Sequence, residues 1–415
     1  MRYLLLAAAL AACTGSKDHD RKEAHAASQP PAPKPGEPAK PATPGQPAPV
    51  ERPTGPLLEP AAADRVATPA EAAVAKNKWF PFGGTWFRLW GTAFTGSQPK
   101  GVSLSADGSR IFVTNTGYHD KKNVDRFDPA TLKVVAEANF PGNAVESLVS
   151  PKGDVIWVSN FYHKEMLELS TDDLRVTRRF TVEDVPKHFA VSPDVKRLWV
   201  ANWEKGTVSV VDIASGKQSE SIPVGKEPRG TVVTHDGKKV YVTNFGSDSI
   251  SVIDAAARKV LTTIETPDCN APRHADVADD ERVFVSCYGG KEVIVIDSKT
   301  DKVIKKVTVG LGPKTIAISR DQRFAYTADY KGHGFSIIDL SNWKVLVVPL
   351  PTYKTSGLAV SPDDSRIYLT GWSARNLMVI DRLQPGAKPD APLGPQGWGK
   401  VCRQPKLTDC TEKFP

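Results

Sequence analysis

The 415-residue sequence lacks any uninterrupted apolar run of the roughly 18 residues that a membrane-spanning helix requires. Aromatic residues make up only 8%, with three methionines and five cysteines. Five cysteines in a chain of this length exclude a small scaffold held together by disulfides. Signatures of local chemistry are missing as well. No Cys-x-x-Cys-His haem site, Gly-rich phosphate loop, Gly-x-Ser-x-Gly elbow or His-Glu-x-x-His helix occurs, so sequence motifs give an enzyme no support. An excess of one charge sign is absent once the net +7 is divided along the chain. Residues 1–78 hold 10 Lys and Arg against 8 Asp and Glu, residues 382–415 hold 6 against 3, and the middle carries 38 against 36. A globally basic nucleic-acid binder does not look like this, and any polyanion site must be a local patch. Aliphatic side chains are nearly absent between Pro30 and Pro60, where 12 prolines fall. That stretch cannot bury enough apolar surface to offset its ordering entropy and reads as a linker.

What is present begins with residues 1–12: a charged start at Arg2, an apolar run, and Leu10-Ala11-Ala12 directly before Cys13. This resembles a bacterial lipoprotein signal, with a short apolar core and a small-residue cleavage site. The resemblance implies a lipidated (palmitate-bearing) Cys13 as a membrane anchor, and Thr14 in place of Asp favours the outer membrane. The Pro/Ala-rich residues 13–78 then form an extended tether on the order of 100 Å long.

Self-similarity dominates the rest. Units of about 42 residues begin near Pro99, Ala144, Pro186, Pro228, Pro272, Pro313 and Thr355. Each holds four short alternating apolar runs separated by turn sequences such as Asp236-Gly237. Four strands per unit predict a seven-bladed β-propeller over residues 79–383, and the period-2 alternation excludes a helical solenoid. The last unit has no fourth strand after Asp381, and Thr85–Phe94 is apolar enough to supply it, which would close the ring. Residues 384–415 read as a Pro-containing tail.

The recurring words Tyr241-Val242-Thr243-Asn244, Phe112-Val113-Thr114-Asn115, Trp157-Val158-Ser159-Asn160 and Trp199-Val200-Ala201-Asn202 resemble the YVTN-type β-propellers of exported bacterial and archaeal proteins. Cys287, Asp329 and Gly371 stand where Asn is expected. The resemblance implies a periplasmic or surface-facing module of the cell envelope. It leaves function open, because that family includes binding proteins and relatives of quinoprotein and haem-pathway enzymes.

In a propeller, the loop entering a blade's inner strand and the loop between its second and third strands share one face. Around the ring the second residue of the inner strand is Lys100, Val145, Lys187, Arg229, Arg273, Lys314 and Ser356, cationic in five of seven blades. The middle loops open with Phe161, Trp203, Phe245, Tyr288, Tyr330 and Trp372. Cations at a surface-exposed channel mouth, surrounded by aromatics, suit an anionic or planar ligand or an acidic partner: an envelope protein, a glycan, another anionic ligand or nucleic acid. The plainer reading makes the cations solvated and the Asn-aromatic pair a blade-building device. No cofactor is expected from the motifs; one position further in, Glu146, His188 and His274 are either ordinary polar channel residues or the ligand set of a divalent metal, and the basic ring could instead hold a carboxylated cofactor. After Cys13, the four cysteines Cys269, Cys287, Cys402 and Cys410 allow three pairings, of which the local one joins 269 to 287 and 402 to 410. The sequence thus predicts a monomeric, lipid-anchored binding or scaffolding propeller. The competing expectations are a metal- or cofactor-dependent periplasmic enzyme and an assembly component with no small ligand.

Overall fold

The computed structural model describes residues 79–117 and 122–389. Cys13, the Pro-rich segment, Cys402 and Cys410 lie outside them. Among the described residues there are 29 strands and no helix, arranged as seven antiparallel sheets. Six are four-stranded meanders in chain order, as in Pro228–Val233, Lys239–Asn244, Ser249–Asp254 and Lys259–Glu265. The chain is a seven-bladed β-propeller.

The seventh blade runs Thr355–Val360, Arg366–Gly371, Asn376–Arg382, and then takes Thr85–Phe94 as its fourth strand and Phe80–Phe82 as a fifth. The closing strand pairs from Phe87 opposite Arg382 to Phe94 opposite Asn376. Its alternation buries Phe87 and Leu89 completely or nearly so, as the sequence period requires. The Arg382 side chain, 1% exposed, is held by the carboxylates of Asp321 and Asp364 and so ties the last blade to the sixth.

The four-letter repeat has a separate physical task at each letter. The first is a large ring, Phe112, Trp157, Trp199, Tyr241, Phe284, Tyr326 and Tyr368, none more than 2% exposed. Each packs into the core shared with the next blade: Phe112 against Ile156 and Val158, Trp157 against Leu198 and Val200, and finally Tyr368 against Ile111 and Val113 of blade one. The second letter alternates to the opposite face, where Val113, Val158, Val200 and Val242 fill the blade interior. The third is a hydroxyl stitch. Thr114, Thr243 and Thr370 accept the backbone N–H of Gly101, Gly230 and Gly357 in their own blades and donate to the carbonyls of Val145, Arg273 and Lys100 in the following ones. The fourth clamps the entering loop, as where Asn244 Oδ1 accepts from Gly225 N at 3.1 Å and its Nδ2 donates to Ser251.

Where the fourth letter differs, the clamp is kept by other means. Cys287 is bonded to Cys269 in the entering loop, which is the pairing expected for these two cysteines. Asp329 is fully buried against the hydroxyls of Thr327 and Ser336, at 2.7 and 2.6 Å. Burial pushes its carboxyl up to about 7.

Candidate functional site

Every inner strand carries the same irregularity. Its first residue pairs with the fourth letter of the repeat, as Pro228 with Asn244, and the register then slips by one before regular pairing resumes. Such a bulge bends the strand and re-aims the side chains within it. The residues inside it come from the two rings read from the sequence: Lys100 with Gly101, Val145 with Glu146, Lys187 with His188, Arg229 with Gly230, Arg273 with His274, Lys314 alone, and Ser356 with Gly357. The bulge also draws neighbouring blades together. A Cβ on Gly357 would lie 2.0 Å from the Lys100 carbonyl oxygen, and one on Gly230 would lie 2.7 Å from that of Arg273.

The residue before the inner strand sits in the left-handed region in six blades: Gln98, Val185, Glu227, Ala271, Gly312 and Lys354. A β-branched Val185 at φ 60° is a strained choice. Its carbonyl accepts from the Trp203 amide at 3.0 Å, and the equivalent carbonyls accept from Phe245, Tyr288, Tyr330 and Trp372. This bond fixes where each middle-loop aromatic leaves the sheet, beside the cation of its own or the adjacent blade.

The result is an interleaved arc. Lys187 Nζ lies 3.7 Å from the Phe161 ring centroid and 4.4 Å from that of Trp203. The Arg229 guanidinium is 3.9 Å from Phe245 and 5.4 Å from Trp203, and that of Arg273 is 4.9 Å from Tyr288. Lys314 Nζ sits 4.3 Å from Tyr330 and 4.7 Å from Trp372. The aromatics touch each other as well, with Phe161 stacked on Trp203 and Tyr288 5.9 Å from both Phe245 and Tyr330. Phe161, Tyr288 and Tyr330 are buried, so these rings are walls of the blades whose faces are turned to the cations.

The cations are not on an exposed rim, as the sequence had suggested. Lys100 and Lys314 are 8% and 5% exposed, and Lys187, Arg229 and Arg273 are half-buried. They line one pocket together with Glu146, His188, His274 and Thr315, with about 320 Å³ of empty space counting its open mouth. Glu146 is the single carboxylate in that lining, 3.8 Å from Lys100 Nζ. Lys314 Nζ donates to Ser356 Oγ at 2.6 Å. The Lys187 ammonium and the Arg273 guanidinium have no hydrogen-bond acceptor or ion-pair partner among the described residues; aromatic faces are what they touch. Burial lowers the Lys100 amine to about 7, with the nearby Glu146 carboxylate opposing the shift. Burial and the surrounding cations hold Lys187 and Lys314 well below the usual lysine range.

Deeper in, His274 Nε2 and His188 Nε2 are 3.0 Å apart, with the rings edge to face. His188 Nδ1 accepts from the Thr231 amide at 3.3 Å, so the proton between the two imidazoles belongs to His188 Nε2, and His274 carries its own on Nδ1. Burial lowers both histidines below the usual imidazole range, His274 the more strongly. This link has a structural use: blade three has Ala201 at the third letter, with no hydroxyl, and His188 makes the inter-blade contact instead. In blade six, where Ala328 stands at that position, Thr315 Oγ1 donates to the Ser356 carbonyl at 2.8 Å. Glu146, His188 and His274 share the pocket, but among the described residues no three His, Cys, Asp or Glu side chains converge on one point as metal ligands.

Sequence reasoning missed two features of the site. The bulge recesses the cations, and two of them lack acceptors among the described residues. Neither has a signature in one sequence, since a bulge shows only once strands are paired.

No family model matches the chain, and no curated protein matches it. Among solved structures it is similar to hydrazine synthase of Kuenenia stuttgartiensis, with 20% identity over 69% of this chain and 96% of that one, at a TM-score of 0.62. It is also similar to a streptogramin B lyase structure, with 14% identity over 72% of this chain and 98% of that one, at a TM-score of 0.61. At these identities the likeness is one of fold, and these neighbours share the β-propeller.

Proposed function

We propose that the protein is a lipid-anchored module of the bacterial envelope whose propeller binds an anionic ligand through the recessed cation arc. The observation that carries this reading is five cations directed into one pocket against the single carboxylate of Glu146, two of them without an acceptor among the described residues. Buried like charges repel, and a fold gains nothing in stability by collecting them. A bound anion supplies both the missing acceptors and the missing charge. The balance outside the pocket supports the same view, since the middle of the chain is nearly neutral.

The Cys13 sequence supports anchoring to the outer membrane, with the Pro-rich segment as spacer. A Cys13→Ser chain should lose incorporation of labelled palmitate and leave the membrane fraction. For the binding reading, the test is Arg229→Gln together with Arg273→Gln. Loss of anion binding with flattened salt dependence and an unchanged or raised melting temperature is expected. Unfolding of the double variant, with binding by its folded fraction intact, would make the arc structural.

A further inference from the structure

Resting on that reading, we infer that the ligand is a compact anion carrying two or more negative charges, phosphoryl or carboxylate, lodged inside the channel mouth rather than an acidic surface laid across it. Depth decides the shape. Lys100 and Lys314 are nearly inaccessible from the face, and the Lys187 ammonium lies between two aromatic rings. A flat acidic protein surface or a nucleic-acid backbone touches a rim, whereas these groups are reached only by a ligand that enters the pocket. The space inside the mouth is small, since the roughly 320 Å³ include the opening to solvent, and it suits a compact anion better than a bulky one.

Donor count decides the charge. Lys187 offers three N–H groups and Arg273 five, with no protein acceptor for any of them among the described residues. One carboxylate of the ligand takes two such bonds in the usual forked geometry and leaves most of the set unmet. Four of the cations, Lys187, Arg229, Arg273 and Lys314, come from four consecutive blades, so they form an arc that faces several acidic groups at once. Val145 and Ser356 interrupt the ring on either side of Lys100, and there Glu146 repels further negative charge.

Proton uptake should accompany binding. The groups that face the pocket are Lys100, Lys187, Lys314, Arg229, Arg273, Glu146, His188 and His274. Burial and mutual repulsion lower the three lysine amines and both imidazoles in the empty pocket. An entering anion favours their protonated forms, so affinity falls as pH rises.

Calorimetric titration of the purified full-length chain with pyrophosphate, citrate, inorganic phosphate and acetate, at about pH 6 and about pH 8 in buffers of different ionisation heat, tests this. Pyrophosphate or citrate should bind at least about tenfold tighter than acetate and more weakly at the higher pH, with net proton uptake. The ranking of pyrophosphate against citrate separates phosphoryl from carboxylate ligands. Lys187→Met, which keeps an unbranched chain between the two rings, should weaken the preferred anion about tenfold or more. Equal binding of all four anions, or no binding, overturns the inference without any variant. If a poly-glutamate peptide or an oligonucleotide binds where the small anions do not, and the Arg229/Arg273 double variant abolishes it, the compact ligand is wrong while the anion-binding face stands.

Discussion

Asp329→Asn should stabilise the protein at alkaline pH, against the usual direction of a buried substitution. Asp329 occupies the clamp position that is Asn in blades one to four, and it is fully buried against Thr327 and Ser336. Its carboxyl is raised from 3.8 to about 7 by desolvation, with the two hydroxyls opposing the shift. Because the folded value lies above the unfolded one, this side chain supports folding in full below about pH 4, and that support is lost as pH rises toward 7. A shift of this size corresponds to roughly 4 kcal/mol at pH values above 7. An amide has no such dependence, and the partners it needs are in place. Ser336 accepts from Gly310 N in blade six, and in blade four Ser251 is the acceptor of the Asn244 amide. With an unfolding entropy of about 2.1 cal/mol/K per residue over roughly 300 residues, 4 kcal/mol is worth about 6 °C. Thermal unfolding followed by circular dichroism at about pH 4 and about pH 8 should show curves that nearly coincide in acid and separate by several degrees in base, the variant being the more stable. A difference that is independent of pH, or a variant that melts lower at the higher pH, would refute the argument.

The remaining expectations concern closure and crosslinking. Arg382→Ala removes a cation that is 1% exposed and leaves Asp321 and Asp364 without it; the expected loss is about 3 to 5 kcal/mol in denaturant unfolding, and a loss below about 1 kcal/mol would contradict the latch. Reduction of the Cys269–Cys287 bond, which closes a separation of 18 residues, should lower stability by about 3 kcal/mol without changing the far-ultraviolet spectrum. Removing residues 14–78 should leave the melting temperature unchanged, while further removal through Phe94 exposes Asn376–Arg382 and the apolar cores it covers and should cause aggregation. Equal melting of the two truncated chains would count against ring closure by the N-terminal strand.

Much of the architecture could be read from the sequence because a propeller repeats its reasons. The ring at Tyr241 and its six counterparts, the alternating valines and the Asp-Gly turns are local signals that recur at a fixed period, so each confirms the others. Thr85–Phe94 could be assigned to the last blade because an edge left open after Asp381 demands a partner. The pairing of Cys269 with Cys287 followed from two cysteines set at loop positions of one blade. The site was legible only in composition. Lys187 and Arg273 could be placed on one ring, but their depth depends on a bulge that appears only when Pro186 is paired with Asn202 and Pro272 with Cys287. In the sequence His188 shares one ring position with Glu146 and His274, the pattern of a metal set. Its tie to the Thr231 amide, and its role in place of the hydroxyl missing at Ala201, needed the adjacent blade to be seen. Arg382 has no sequence signature, since its partners Asp321 and Asp364 come from turns of two different repeats.

The central claim, that the recessed cation arc is an anion site, is tested most directly by locating an anion in it. Crystals of the protein grown with tungstate, an electron-dense tetrahedral oxyanion, and measured at the tungsten absorption edge should give their strongest anomalous peak within hydrogen-bonding distance of Lys187 Nζ and the Arg273 guanidinium. That peak should vanish in crystals of Arg273→Gln. Anomalous peaks confined to exposed lysines of the outer strands, with the channel mouth filled by water alone, would contradict the account.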